Sequence, residues 1–313
     1  YVFIFGAGPI APMYVEGAGL ASSISSMVGL LMMIGFALRP SYRRVFRYFA
    51  ASRLDIRLMW DITRLSVPSG LATVFVMTGF ALFLKIVGIL DERAVAESIA
   101  ATGVWREQQL PSASALIPYL GLGDLHLNAL QARPPVYVAA TKVVIDIMSV
   151  SFMTCIAFGT ATATMVGQSL GANRPDLAER YGWESVRLGA YAMGALGLVA
   201  LLTPNTLFGV FSQDVEVIDA GRNALRLMGS IEALIAVSLI LAQALYGAGN
   251  SKYVMIVEMV LHVTCLVPLA YLLGIVLDWG LVGVWSSAVV YIVLMAIAMV
   301  RKFASGDWKD ITL

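Results

Sequence analysis

Charge, histidine and cysteine are all scarce in this 313-residue chain. Asp, Glu, Lys and Arg together make 13% of it, about half of the roughly 25% usual in soluble domains. With two histidines and no H-x-x-E-H or C-x-x-C arrangement, metal chemistry has no support. Cys155 and Cys265 both lie inside apolar runs, where a thiol is a core group without a disulfide role. A net charge of +1 gives no polyanion-binding character, and no basic cluster is interleaved with aromatics, so nucleic acid is not an expected partner. No nucleophile–base constellation points to an enzyme. Apolar residues are what the chain has: 59% of it is hydrophobic and the mean hydropathy is +0.82. That balance reads as an all-α, polytopic membrane helix bundle of about seven spans, each long enough for a hydrocarbon core of roughly 30 Å.

The chain opens at Tyr1 inside an apolar run, with no signal peptide ahead of it. This reads as a fragment whose earlier part is missing, with 1–16 the tail of a preceding helix and an outer loop. Segment one covers 17–38. Residues 39–64 hold Arg39, Arg43, Arg44, Arg47, Arg53, Arg57 and Arg64 against Asp55 and Asp61. An amphipathic linker on the inner membrane surface explains them better than nucleic-acid binding does. Segment two covers about 65–90, opened by Val67-Pro68-Ser69-Gly70. A long loop, 91–135, follows, rich in Ser, Pro and Gly and carrying Trp105, Tyr119 and His126. Connections of such length are uncommon, and this one is either a disordered linker or an outer cap with a short helix at 94–101. Segments three to seven fall near 136–167, 184–208, 224–246, 253–276 and 281–300, with 303–313 as a tail.

Alternating spans can be checked against charge. Placing 39–64 inside also places 168–187, 247–252 and the C-terminus inside, and these pieces hold 14 of the 21 basic residues. The expected orientation is therefore C-terminus cytoplasmic and long loop outside, in an inner or plasma membrane.

The most distinctive wording is Val166-Gly167-Gln168-Ser169-Leu170-Gly171-Ala172-Asn173-Arg174-Pro175. Gly171 and Asn173 can take the left-handed backbone that closes a helix, and Pro175 can open the next one. This loop resembles the V-G-Q-x-L-G-A that follows the eighth helix of the multidrug and toxic compound extrusion (MATE) transporters. Four more pieces are similar to that family in the same order: Val15 to Ala21, Leu65-Ser66-Val67-Pro68, Ala244 to Asn250 with Gly247 and Gly249, and Gly283-Val284-Trp285. On that register the chain is helices six to twelve: the last helix of the N-terminal lobe at 17–38, an inter-lobe linker, and a C-terminal six-helix lobe at 65–302. The resemblance implies alternating access of two lobes, the other lobe being the missing part of the same chain. Export of lipophilic, often cationic small molecules, driven by a proton or sodium gradient and needing no further cofactor, follows from the same resemblance. Flippases for lipid-linked precursors share the architecture and are the rival; a non-transporting membrane fragment is the other. A flippase would show a strongly basic cavity, whereas Lys142 is the one basic residue deep in a span.

Ionisable groups inside spans are costly, so each is a candidate. Glu232 in segment five could exchange a proton or hold a cation, or could simply be hydrogen-bonded to a neighbouring helix. Asp146 lies one turn after Lys142, and the i,i+4 pair can neutralise itself; a cavity role remains if Lys142 snorkels outward. Glu258 and His262 repeat that spacing, as a packing pair or a proton relay. Phe75, Met77, Phe152 and Met153 could line a substrate cavity, since aromatic rings stack on flat cations and Met adapts to many shapes, or could be ordinary packing and lipid-facing groups. Val76 and Ile235 stand where one branch of the resembled family carries Glu and Asp, so sodium ligation by those two positions is absent.

Overall fold

The computed structural model describes residues 13–39, 55–102 and 135–310. Every regular element among them is helical. The described residues divide into two compact units between Ile62 and Thr63. The first unit contains α1, Tyr14–Ala37, an apolar helix whose Ser23 hydroxyl is absorbed by the Gly19 carbonyl at 3.0 Å. The expected tail at 1–12, the middle of the basic linker at 40–54, and Trp105, Tyr119 and His126 lie outside the described residues.

Helix α2, Ile56–Thr102, is longer at both ends than the sequence suggests. Pro68 lies inside it rather than opening it, and the helix continues twelve residues past the expected end at Leu90. The 94–101 segment, expected as a separate short helix, is therefore the final turns of α2. Five further helices follow: α3 Val136–Gly171, α4 Pro175–Leu202, α5 Pro204–Phe211, α6 Val215–Ser230 and α7 Glu232–Gly247. The next span, Ser251–Val276, contains α8 Ser251–Leu261 and α9 Val267–Tyr271, each followed by a π-helical turn. The last long helix is α10, Gly280–Ser305, and a 3₁₀ turn, Asp307–Asp310, ends the described chain. Among the described residues, six helices are long and apolar enough to cross a membrane, or seven if α6 and α7 form one bent span.

Many hydroxyl side chains in these apolar helices bond back to their own helix and so do not break it. Thr154, Thr160, Thr162, Thr164 and Ser169 of α3 all donate to the carbonyl four residues earlier, at 2.7 to 2.9 Å. In a medium without water this internal satisfaction is what makes a polar residue tolerable. Large apolar side chains on the outer face remain exposed, as with Leu188, Tyr191, Leu198 and Leu202 of α4, a surface suited to lipid rather than water.

Two apolar clusters fill the second unit. One gathers Phe83, Val87, Val144, Met148, Phe208, Leu225 and Trp285, with Phe83 edge-on to Trp285 at 5.3 Å. The other gathers Cys155, Val166, Met193, Leu241, Leu245, Phe303 and Trp308. Trp308, in the terminal 3₁₀ turn, stacks on Phe303 at 4.7 Å and donates its indole N–H to the Phe303 carbonyl at 2.8 Å. Gly182 of α4 leaves the room that ring occupies: a Cβ there would stand 2.2 Å from Phe303. Lys309 bonds Glu179 and so ties this turn to the start of α4. Lys302 donates to Asp307 at 3.1 Å, which holds the Asp307 carboxyl below the usual carboxylate range.

At the opposite end of the bundle the extra turns of α2 do structural work. Asp91 accepts the Tyr137 and Val138 amides at 2.9 and 2.8 Å, capping α3, whose preceding residue, Pro135, offers no side-chain acceptor. Arg93 donates to the Ile275 carbonyl at 2.8 Å and fixes the end of the second π turn. Asp91→Ala would strand two helix-start donors, a cost of about 1–2 kcal/mol. The expected result is a lower thermal midpoint in detergent, with Asp91→Asn falling between.

Candidate ion-coupling site

The site is built around a break in a span. Segment five, expected as a single helix at 224–246, is two helices, α6 and α7, meeting at 56° with Ile231 between them. Two contacts set the break. Gly229 and Gly197 bring the backbones of α6 and α4 together: a Cβ on Gly197 would lie 2.3 Å from the Gly229 carbonyl oxygen, and one on Gly229 would lie 2.7 Å from the Gly197 carbonyl oxygen. Ser230 then turns its hydroxyl back to the Leu227 carbonyl at 2.6 Å. Gly/Ser pairs are recognised kink positions, because they loosen the i→i−4 ladder at little steric cost.

Glu232 is the first residue of α7, immediately after the break. It is 1% exposed, and neither carboxylate oxygen has a well-formed hydrogen bond, the Ser151 hydroxyl of α3 being the nearest hydrogen-bonding group. Ser151 and Cys155 of α3 are its polar neighbours, and Gly197 of α4 packs against its Cβ and Cγ. No Lys or Arg pairs with it among the described residues. Besides the Ser151 hydroxyl, the positive end of the α7 dipole is the favourable field, worth at most about 2 kcal/mol in a partly buried setting. That falls short of the desolvation cost of an isolated buried carboxylate. A bare anion here is therefore unstable, and the position calls for a proton or a bound cation. The packing alternative, a Glu hydrogen-bonded to a neighbouring helix, rests on Ser151 of α3 alone, whose hydroxyl lies beside the carboxylate without completing a well-formed bond.

The other candidates lie apart from it. Lys142 and Asp146 form the expected i,i+4 ion pair, with side chains 68% and 36% exposed, so the pair sits on the outer face of α3. Glu258 and His262 do not meet through their side chains: His262 Nδ1 bonds the Glu258 backbone carbonyl at 2.8 Å. Helical back-bonding at i−4 outcompetes the side-chain pair because that carbonyl is fixed in reach. Tyr246 donates to the Glu258 carboxylate at 3.4 Å, and Tyr291 sits edge-on to His262 at 4.6 Å. Met77, Phe152 and Met153 are exposed and Phe75 is half-buried, with no enclosed cavity among these four.

The glycine motif is helical, not looped. Gly167, Gln168 and Gly171 belong to the end of α3, and it is Asn173 alone, at φ 56°, that takes the left-handed backbone before Pro175 opens α4. Gly247 closes α7, with Gly249 at φ 77° in the turn after it. The structure brings the two motifs together: a Cβ on Gly247 would stand 2.3 Å from the Ala163 carbonyl oxygen, and one on Gly167 3.1 Å from the Gly247 carbonyl oxygen. Sequence reasoning missed Ser151, Gly197, Gly229, Tyr246 and Tyr291, whose roles arise only from contacts between distant segments. It also missed a cleft of about 310 Å³ lined by Asp91, Val136, Tyr137, Glu216 and Asp219.

Residues 128–272 match the MatE family model. A probable multidrug resistance protein NorM of Brucella suis is 23% identical over 309 residues, covering 97% of this chain and 56% of the relative. A probable NorM of Caulobacter vibrioides is 30% identical over 175 residues, 56% of this chain and 37% of the relative. Among solved structures, a MATE mutant superposes with a TM-score of 0.68 at 16% identity, covering 97% of this chain and 57% of that one. A MATE protein in its bent conformation gives 0.65 at 17% identity, covering 97% and 56%. The chain thus spans little more than half the length of the relatives it matches. Residues 128–272 therefore match the MatE family, and the chain as a whole is similar to NorM proteins and shares the fold of the solved MATE structures.

Proposed function

We propose that this chain is the C-terminal portion of a secondary active exporter in an inner or plasma membrane, with its C-terminus in the cytoplasm. It expels amphiphilic, often cationic small molecules by alternating access in exchange for protons or sodium, and is not an enzyme. The observation that carries this reading is Glu232: a fully buried carboxylate with no charged partner among the described residues, at a broken span inside the segment that matches the MatE model. Intramembrane carboxylates without partners mark ion pathways, because their cost is offset only when an ion or proton visits them. Broken spans near such groups supply the backbone freedom a moving site needs.

The flippase reading is disfavoured by Lys142. This basic residue is paired with Asp146, which neutralises its charge locally and leaves little to attract an anionic headgroup. The test uses the full reading frame in drug-sensitive cells stripped of their own exporters. Efflux of a fluorescent lipophilic cation is expected, and collapse of the proton and sodium gradients is expected to stop it. A well-expressed protein that moves no cation would overturn the proposal.

A further inference from the structure

The two ends of the second unit differ in how their charges are used. At one end Asp91, Glu216 and Asp219 line a cleft, and Arg222 is spent on Asp219 at 3.0 Å. At the other end the terminal 3₁₀ turn draws together the start of α4, the start of α8 and the end of α10. Phe303 fills the notch at Gly182 and lies edge-on to Trp183 at 5.4 Å. Tyr253 of α8 donates its hydroxyl to the Ala298 carbonyl at 3.1 Å, and the Lys302 ammonium lies over its ring at 5.5 Å. The carboxylates of this junction are already committed, Glu179 to Lys309 and Asp307 to Lys302. Arg180, Lys252 and Arg301 are different. They come one from each helix, follow or precede Glu179, Tyr253 and Lys302 by a single residue, and are all exposed. None of the three has an ion-pair partner among the described residues. With every charge of 174–180, 251–253 and 298–310 counted, six basic residues stand against four acidic ones.

We propose that Arg180, Lys252 and Arg301 form a binding surface for the headgroups of anionic phospholipids. The packed junction holds the three helix ends together, so their cations act on one headgroup region instead of dispersing. Arg180 and Arg301 can each offer a phosphodiester two parallel N–H donors, and Lys252 adds a point charge. Half-buried Trp183 and Tyr253 belong to the same junction, and such amphipathic rings settle where acyl chains give way to headgroups. A lipid suits this end better than a soluble anion does. Leu188 and Tyr191 of α4, Ile256 of α8 and Ile297 of α10 are exposed along the same three helices, so apolar surface for acyl chains continues directly from the cations. Basic groups gathered between helix ends are a recurrent way of holding anionic lipid. Placing this surface in the cytoplasmic leaflet rests on the orientation given with the exporter reading; the headgroup contact itself does not.

Native mass spectra of the full-length protein, released from nanodiscs of equal phosphatidylglycerol and phosphatidylcholine, read which lipid stays bound. Phosphatidylglycerol is expected to be retained in preference. Replacing Arg180, Lys252 and Arg301 by Gln, one at a time, is expected to cut that preference about fivefold each. R180K combined with R301K keeps both charges and should retain most of it, and R222Q, at the other end, all of it. If one Gln variant fails to fold, the other two carry the test. A wild-type protein without the preference, or a preference indifferent to the Gln variants, would overturn the surface. Inorganic phosphate that binds there and excludes phosphatidylglycerol would overturn the lipid as its occupant. Parallel efflux separates the two readings: a lipid preference with no efflux sinks the exporter and keeps the surface, whereas efflux with no preference does the reverse.

Discussion

Glu232→Gln is expected to fold normally and to lose gradient-driven efflux by at least about tenfold, which corresponds to about 1.4 kcal/mol of lost coupling. Glutamine matches glutamate in shape and removes only the ability to release a proton or to hold a cation by charge. That makes the substitution diagnostic. A glutamate kept for packing, neutral and surrounded by Gly197, Ser151 and Cys155, would be replaced by Gln at little cost, and efflux would continue. A coupling group would leave a folded, drug-binding protein that no longer responds to the gradient. Glu232→Asp sharpens the reading. It retains the carboxyl but draws it back by one methylene, toward the break at Ile231, so partial efflux is expected. Full efflux in the Gln variant would remove Glu232 from the mechanism and move coupling elsewhere in the protein.

Gly247→Ala is expected to have the largest effect on folding of any single-methyl change in the glycine motifs. The added Cβ would lie 2.3, 2.6 and 2.8 Å from the oxygen, Cα and carbonyl carbon of Ala163. All three are backbone atoms of α3, so no side chain can rotate away, and relief requires α3 and α7 to separate. Overpacking of this kind costs about 1–3 kcal/mol and often more. Gly167→Ala, whose new atom would meet the Gly247 carbonyl oxygen at 3.1 Å, should be milder. Gly171→Ala meets nothing within 4 Å and lies in a helix, so it should be neutral or stabilising by about 0.5–1 kcal/mol. Thermal midpoints in detergent, ordered Gly247, Gly167, Gly171 from most to least damaged, check the argument. A reversed order would show that the α3–α7 crossing is not what these glycines serve.

These substitutions also show where the sequence stopped being informative. The apolar runs were legible because crossing a low-dielectric layer is a local demand: length, hydropathy and the scarcity of charge each act within one segment. Their ends were less legible. α2 outlasts its apolar run because Asp91 and Arg93 find partners on α3 and at Ile275, and polar residues that would otherwise signal a loop are held in helix by those bonds. The G-Q-S-L-G stretch read as a loop because of its glycines, yet those glycines mark a helix crossing.

By itself the sequence determined a helical bundle suited to a membrane, the wording of its MatE-like turns, the i,i+4 pairing of Lys142 with Asp146, and the presence of Glu232, Glu258 and His262 within apolar segments. The tertiary structure decided which of those groups lack partners. Whether a carboxylate is neutralised depends on what neighbouring helices bring beside it. For Glu232 that is Ser151, Cys155 and a glycine crossing drawn from residues up to 81 positions away, and no periodicity along one helix encodes such a meeting.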